Sequence, residues 1–283
     1  MNPEEKLTLG PGVTVKFTDR SYLAVRANLE AKGQAGKPVV FTSVNDSTYG
    51  GDSNGPASDD PYPGDWQSIF IESASRATFE HCVIAYGGTQ ASMADGSAAV
   101  MDTESSSGTT VKNTVFQYNL RALDLLSRNS TIENCTFEHN TYPLRVNVNT
   151  DTDNSLEIAD NSYNAIYLAV PSWSPTFAKS EVDWLHTGVP YVLLDNLSTE
   201  TTTINLGSGT IIRVGLDFGI FIDQGGRLTG LANAIFTSCR DTTRGGNVGW
   251  PGPAAKGDWQ GIYDSNQSKY LSGPNIFFAR YPQ

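Results

Sequence analysis

The first residues that could carry chemistry are acidic side chains in a stretch rich in Gly, Pro and Ser after Ser43. Five aspartates fall within twenty residues: Asp46, Asp52, Asp59, Asp60 and Asp65. Carboxylate oxygens are preferred ligands of Ca²⁺. Because their spacing matches no EF-hand loop, two interpretations stay open: a calcium site held by these five residues, or a solvated acidic loop. No other cofactor is expected.

A second candidate is the charge pair of Asp124 and Arg145, whose positions differ by 21. On coils of that length they would lie side by side, in an exposed column that also contains Met101. A lyase needs converging carboxylates with a Lys or Arg base, and a hydrolase needs two carboxylates that flank the sugar bond. Neither arrangement is evident, so we expect a surface salt bridge. A catalytic acid with a positioning arginine is the alternative.

Aromatic rings that could stack on sugars form the third candidate group. They are Trp173, Tyr62 and Trp250, all in stretches rich in turn-forming residues. Trp66 and Trp259 differ from these three because both stand in the same sequence, GDWQ. Two tryptophans in equivalent positions favour a structural function, the packing of a loop against the core.

These candidates must be positioned by a framework of short repeated strands. Residues 111–116 (VKNTVF) recur as 132–137 (IENCTF), at an offset of 21. An earlier copy is 79–84 (FEHCVI), and a weaker one is 158–163 (IADNSY). A period near 21 is typical of one coil of a parallel β-helix, in which neighbouring coils must stack to bury their apolar faces.

The repeat also predicts which side chains lie in the core. Since alternate residues of a strand point inward, Phe116 and Phe137 should stack on each other, flanked by Ile84 and Tyr163. Val111 and Ile132 should also point inward. The asparagines of the repeat, Asn113 and Asn134, should take left-handed backbone geometry at a bend.

A longer repeat shows that the chain contains a duplicated module. Residues 9–17 (LGPGVTVKF) match 206–214 (LGSGTIIRV), and 64–69 (GDWQSI) match 257–262 (GDWQGI). The order and spacing hold from the first of these runs to the second with small gaps. We therefore expect one domain over residues 1–283, with module copy one at 7–90, central coils at 91–187 and a truncated copy two at 188–283.

The runs at 9–17, 38–43 (PVVFTS), 64–69 and 188–192 (GVPYV) resemble right-handed parallel β-helix repeat proteins of bacterial cell surfaces. The resemblance covers nearly the whole chain. It implies an all-β solenoid that is secreted or at the cell surface, often beside other domains in a longer chain. Most such modules have no defined activity, and fold alone does not fix chemistry.

Composition narrows the range of partners. The net charge of −11 repels phosphate backbones, so nucleic acid is not expected as a partner. No apolar run reaches the roughly 18 residues that a membrane span needs. The three cysteines, Cys82, Cys135 and Cys239, form no disulfide framework and no CxxC motif.

Two functions follow from these observations. The first is a non-catalytic extracellular module that binds a polysaccharide or another cell-surface component in adhesion, or that acts as a structural spacer. The second is a polysaccharide lyase or glycoside hydrolase on a β-helix scaffold. The first is favoured because the recurring strand positions hold Val, Ile, Leu, Phe, Thr and Asn, whereas the carboxylates lie in turns and loops.

Overall fold

The computed structural model describes residues 5–55, 60–89, 97–223 and 225–282. All regular elements in these ranges are β-strands, numbered β1 to β27 in chain order. In the same ranges no helix has the length and apolar character needed to cross a membrane. The chain divides into two compact units, and the boundary between them falls within residues 91–187, the expected central coils. The first is Met1–Leu144 with Ser155–Ser162, and the second is Arg145–Asn154 with Tyr163–Gln283.

The first unit consists of coils that each supply a strand to three rows of parallel strands. Row 1 is β1 (Lys6–Leu9), β4 (Asn28–Lys32), β7 (Arg76–Glu80), β10 (Gly108–Lys112) and β13 (Thr131–Glu133). Row 2 is β2 (Thr14–Phe17), β5 (Val39–Ser43), β8 (Cys82–Ala85), β11 (Val115–Gln117), β14 (Thr136–Glu138) and β16 (Glu157–Ile158). Row 3 is β3 (Tyr22–Val25), β6 (Ser68–Ile71), β9 (Val100–Asp102) and β12 (Arg121–Leu125). Strand β15 (Tyr142–Asn147) has residues in both units.

The second unit repeats this plan. Row 4 is β17 (Ile166–Ala169), β19 (Tyr191–Leu193), β22 (Ile211–Val214) and β25 (Ile235–Ser238). Row 5 is β18 (Glu181–Trp184), β21 (Thr203–Leu206) and β24 (Arg227–Thr229). Row 6 is β20 (Leu197–Ser198), β23 (Gly219–Ile222), β26 (Gly261–Asp264) and β27 (Lys269–Tyr270). Only the last pair, β26 with β27, is antiparallel among the strand pairs of row 6.

The core of the first unit follows the predicted alternation. Phe116 pairs with Phe137 on one side and with Ile84 on the other, and all three side chains are fully buried. The two phenyl rings stack with centroids 4.9 Å apart and planes 6° apart. Val111 and Ile132 are buried partners in row 1, at the offset that the repeat predicts. The predicted core stack is confirmed for these five residues.

The place assigned to Tyr163 is wrong. Phe137 pairs with Ile158 instead, so the weak copy at 158–163 is displaced along the coil from the alignment that the sequence suggested. Its Asn161 lies beside Asn140 rather than beside Cys135, which stands opposite it in that alignment. The left-handed geometry expected of Asn113 and Asn134 is confirmed, with φ of 49° and 52°.

The two module copies have the same strands in the same register. In the first copy β2 pairs with β5, and in the second β22 pairs with β25, so that Lys16 faces Thr42 and Arg213 faces Thr237. Strands β3 and β6 correspond in the same way to β23 and β26. The internal repeat read from the sequence is therefore a structural repeat.

Candidate functional site

The acidic loop that follows β5 is tied to that strand by two of its carboxylates. Asp46 accepts hydrogen bonds from the Thr42 hydroxyl at 2.6 Å and from the Thr48 backbone N–H at 2.9 Å. Asp65, at the other end of the loop, accepts the Ser43 hydroxyl at 2.6 Å. Both carboxylates are buried. Since their oxygens already accept donors of the chain, these two aspartates close the loop on the strand.

A cation on the neighbouring strand β2 holds the first part of this loop. The Lys16 ammonium donates to the carbonyl oxygen of Asp46 at 2.8 Å and to that of Gly51. An ammonium offers only donors, which suits the outward carbonyls of a loop. Two carboxylates thus attach the loop to β5, and Lys16 attaches the first part of the loop to β2.

The second module copy repeats the arrangement with different residues. Asp241 accepts the Thr237 hydroxyl at 2.7 Å, and Asp258 accepts the Ser238 hydroxyl at 2.6 Å. The Arg213 guanidinium donates to two loop carbonyls, those of Cys239 and Gly246, both at 2.5 Å. The same polar groups therefore anchor both loops, which is a structural function for them.

Arg244 adds a charge to the second loop. Burial opposes ionisation of Asp241, but hydrogen bonds from Thr243, Thr237 and Arg244 outweigh burial and hold the pKa of Asp241 below its ordinary value. Arg244 lies 2.7 Å from Asp241, and its guanidinium carbon is 3.7 Å from the centroid of the Phe277 ring. Asp241 is therefore a permanent anion at neutral pH.

The five predicted calcium ligands differ in exposure, since Asp46 and Asp65 are buried. Asp52 and Asp60 are exposed, and Asp52 accepts the backbone N–H groups of Asn54 and Gly55. Asp59 lies outside the described residues. Among the described residues no group of three or more His, Cys, Asp or Glu is arranged to hold a metal ion. The calcium site stays a prediction.

The exposed position predicted for Asp124 is wrong. The Asp124 side chain is buried and forms an ion pair with Arg121, also buried, at 2.5 Å. Asp124 does pair in register with Met101, as the column predicted. Arg145 is half-buried and belongs to the second unit. A buried charge must keep its partner, because removing one member leaves an uncompensated charge inside the protein.

Asp102, on the strand next to Asp124, is a further buried carboxylate. Burial raises its pKa, and hydrogen bonds from Ser130 and from the backbone N–H groups of Ser127 and Leu126 act in the opposite direction. A perturbed carboxylate is a usual sign of a functional site. Here both oxygens accept donors from the bend after β12, so Asp102 positions that bend.

The structural function predicted for Trp66 and Trp259 is confirmed. Both indoles are fully buried. Trp66 donates its indole N–H to the Ala85 carbonyl at 2.9 Å, and Trp259 donates to the Phe277 carbonyl at 2.8 Å. Each tryptophan thus links its loop to the following coil.

The three aromatic residues predicted to bind a ligand lie apart along the chain and differ in exposure. Tyr62 is exposed at 54%, and the neighbouring carboxylate of Asp65 raises its pKa. Trp173 and Trp250 are half-buried. Their function as ligand contacts stays a prediction.

A polar ladder in the first unit was not predicted from the sequence. Asn119, Asn140 and Asn161 are buried. The Asn119 amide donates to the Asn140 side-chain oxygen, and the Asn140 amide donates to that of Asn161, both at 2.9 Å. Each amide also donates to two backbone carbonyls. The 21-residue spacing of the three asparagines was the available signal. Because every donor is used within the coils, the ladder is structural.

An outward aromatic row on the second unit was not predicted either. Phe221, Tyr263 and Tyr270 are partners across row 6, on the side opposite the buried Ile220 and Ile262. The signal was the alternation in the equivalent strands GIFI and GIYD.

The three cysteines are free and buried. Burial raises the pKa of Cys82 to about 12 and those of Cys135 and Cys239 to about 11. Thiolate chemistry needs a lowered thiol pKa and an accessible sulfur. These cysteines therefore fill the core.

Comparison with known proteins supports the architecture. The model of the family described as right handed beta helix region matches residues 65–180. This match agrees with the three-row parallel coils of the structure. The fold is a right-handed parallel β-helix. No curated protein and no solved structure matched the chain. The matched description concerns the β-helix as an architecture and specifies no activity.

Proposed function

We propose that this β-helix is a non-catalytic extracellular module that binds a polysaccharide or another cell-surface component. The non-catalytic part of the proposal rests on one observation, which is that the buried carboxylates accept hydrogen bonds from the chain itself. Asp46, Asp65, Asp102 and Asp241 are buried, and each accepts hydrogen bonds from groups of its own or a neighbouring coil. Asp124 is paired with Arg121.

Catalysis at a glycosidic bond needs a carboxyl group that meets the substrate. Retaining hydrolases hold two such groups about 5–5.5 Å apart, and inverting ones hold them about 6.5–9.5 Å apart. A carboxylate that is saturated with donors and closed off from solvent can neither give a proton to a sugar oxygen nor receive one. The buried aspartates of this chain have that character.

The test is an assay for product release. The protein is incubated with uronate polymers, and unsaturated products are followed by their ultraviolet absorbance. It is also incubated with neutral glycans, and new reducing ends are measured. We expect no release above that of heat-denatured protein. Release that is abolished in Asp124→Ala while folding is kept would establish the lyase or hydrolase alternative. We instead expect Asp124→Ala to lose stability, by about 3–5 kcal/mol, because it strands Arg121.

Binding is tested separately on a glycan array. The wild-type protein is expected to bind glycans of one polysaccharide class. The variants Tyr62→Ala, Trp173→Ala and Trp250→Ala test whether the aromatic residues predicted from the sequence contribute to that binding. A protein that retains no glycan would be a structural spacer, and the binding half of the proposal would fail. Extracellular location is part of the same proposal and rests on the resemblance to bacterial cell-surface repeat proteins.

A further inference from the structure

The outer side of row 6 carries aromatic rings from strands that are far apart in the chain. Phe221 pairs with Tyr263, and Tyr263 pairs with Tyr270. The Tyr270 ring stacks on Tyr281 with centroids 4.9 Å apart, and Tyr263 meets Tyr270 edge to face at 5.0 Å. Tyr281 is 40% exposed, and the other three are half-buried. We call these four residues the aromatic face.

Two glycines make room for this face. A Cβ atom at Gly219 would lie 3.2 Å from the Phe221 ring and 3.1 Å from Gln260. A Cβ atom at Gly261 would lie 2.4 Å from the Tyr281 carbonyl oxygen and 3.4 Å from the Tyr270 ring. The Phe221 and Tyr270 rings therefore pack over the backbone of glycines, where a larger residue would place a side chain.

The first module copy does not have this arrangement. The strand pair β3–β6 corresponds to β23–β26, and Tyr22 with Ser68 stand where the second copy has its two glycines. Ala24 stands in the place of Phe221, and its partner Phe70 keeps an aromatic ring. The two copies keep the same loop aspartates and the same buried tryptophan, whereas this outer side has changed.

Three carboxylates near the aromatic face have partners within the chain. Asp217 forms an ion pair with Arg280. Asp223 accepts the hydroxyls of Ser198 and Ser265, and Asp264 accepts the Gln267 amide. Negative charge dominates the protein as a whole, at −11. An anionic polymer is repelled by that field, whereas a neutral one is not.

We propose that the aromatic face binds a neutral glycan chain. A pyranose ring has a side of C–H groups that packs against an aromatic ring, and its hydroxyls need polar partners at the rim. Tyrosine offers both a flat apolar ring and a phenol hydroxyl. Tyr263 and Tyr281 supply such hydroxyls, and Gln260 stands at the edge next to Gly219. This proposal rests on the proposed binding function and names its site and ligand class.

The experiment measures retention of the intact protein in native gels that contain a soluble neutral β-glucan, a soluble α-glucan or polygalacturonate. We expect retardation by a neutral glycan and none by polygalacturonate. Tyr263→Ala and Tyr281→Ala should each weaken binding about tenfold, which corresponds to about 1.4 kcal/mol and lies within the range for a lost aromatic contact. Gly219→Ser should weaken it as well, because the new side chain displaces Phe221 without removing a ring.

The matched control is Tyr22→Ala, which removes an exposed tyrosine at the position of the first copy that corresponds to Gly219. It should bind like wild type. All variants are checked by circular dichroism and thermal melting. If Tyr263→Ala or Tyr281→Ala fails to fold, Tyr263→Leu or Tyr281→Leu takes its place.

The outcomes separate this proposal from the broader one. Retardation that is unaffected by the substitutions at Tyr263, Tyr281 and Gly219 overturns the aromatic face as the site and leaves the binding function intact. Tighter binding of polygalacturonate than of neutral glycans overturns the ligand class. If the wild-type protein is retarded by none of the three polymers, the aromatic-face proposal is overturned for neutral glycans of these types. Product release overturns the non-catalytic function without affecting the aromatic face.

Discussion

The two module copies, built on β1–β6 and on β21–β26, share their loop anchors and buried tryptophans but differ in their outward residues. Both close a long loop with two aspartates that accept Thr and Ser hydroxyls of β5 or β25. Both pack a tryptophan from the GDWQ segment under the following coil. The outer side of their last strand pair has diverged, from Tyr22 and Ser68 to Gly219 and Gly261. Buried polar groups are costly to change, whereas outward positions are free to vary.

Replacement of the buried tryptophans should have the largest effect. Trp66→Ala and Trp259→Ala should each lower the free energy of unfolding by about 3–5 kcal/mol through the cavity that they leave. Trp66→Ala should cost more, because Phe17 stacks on Trp66 at 4.3 Å and the second copy has Val214 at the corresponding position. Urea unfolding followed by far-ultraviolet circular dichroism measures both. The reverse order would show that the stack of Phe17 on Trp66 does not add to the stability of the first copy.

Loop anchors should come next. Asp46→Ala and Asp241→Ala each leave a buried Thr hydroxyl without its acceptor, so each should cost about 1–3 kcal/mol. Asp241→Ala should be the more damaging, since it also removes the partner of Arg244. The exposed Asp52 serves as control, and Asp52→Ala should change stability by about 0.5 kcal/mol or less. Equal effects at all three positions would contradict the assignment of Asp46 and Asp241 as anchors.

A smaller, pH-dependent difference should come from His186 in the second unit. Burial lowers its pKa, and its Nδ1 lies 3.0 Å from the Asp153 carbonyl oxygen. Below pH about 6.5 the imidazole is protonated more readily in the unfolded state than in the folded state. The contribution of the neutral imidazole to the free energy of unfolding is therefore complete above that pH and declines as pH falls below it. Thermal melts between pH 7.5 and 5 should show this decline, and His186→Gln should flatten it. An unchanged slope in the variant would mean that other groups cause the acid sensitivity.

The smallest effect is expected on the exposed side of the first copy. Tyr22 is 62% exposed, so Tyr22→Ser should change the free energy of unfolding by about 0.5 kcal/mol or less. Thermal denaturation measures it. A loss comparable to those of the loop anchors would show that Tyr22 has a packing function and would weaken its use as a control for the aromatic face.

Much of the fold could be predicted from the sequence, and less of the candidate site. The short repeat placed Phe116, Phe137 and Ile84 in one column, and the GDWQ segments identified two buried tryptophans. The prediction for Asp124 failed on exposure. The coil length correctly placed Asp124 beside Met101 but carried no information about its burial or about its pairing with Arg121.

The sequence by itself determined the coil, because the side chains of a strand alternate and stacked coils demand apolar residues at the same inward positions. Only the tertiary structure decided which polar and outward side chains meet. The asparagine ladder depends on bends that bring Asn119, Asn140 and Asn161 within hydrogen-bond distance. The aromatic face depends on an antiparallel hairpin that brings Tyr270 beside Tyr263, and on a later segment that lays Tyr281 against Tyr270. The contacts of the aromatic face join residues with no common period, so no repeat in the sequence records them.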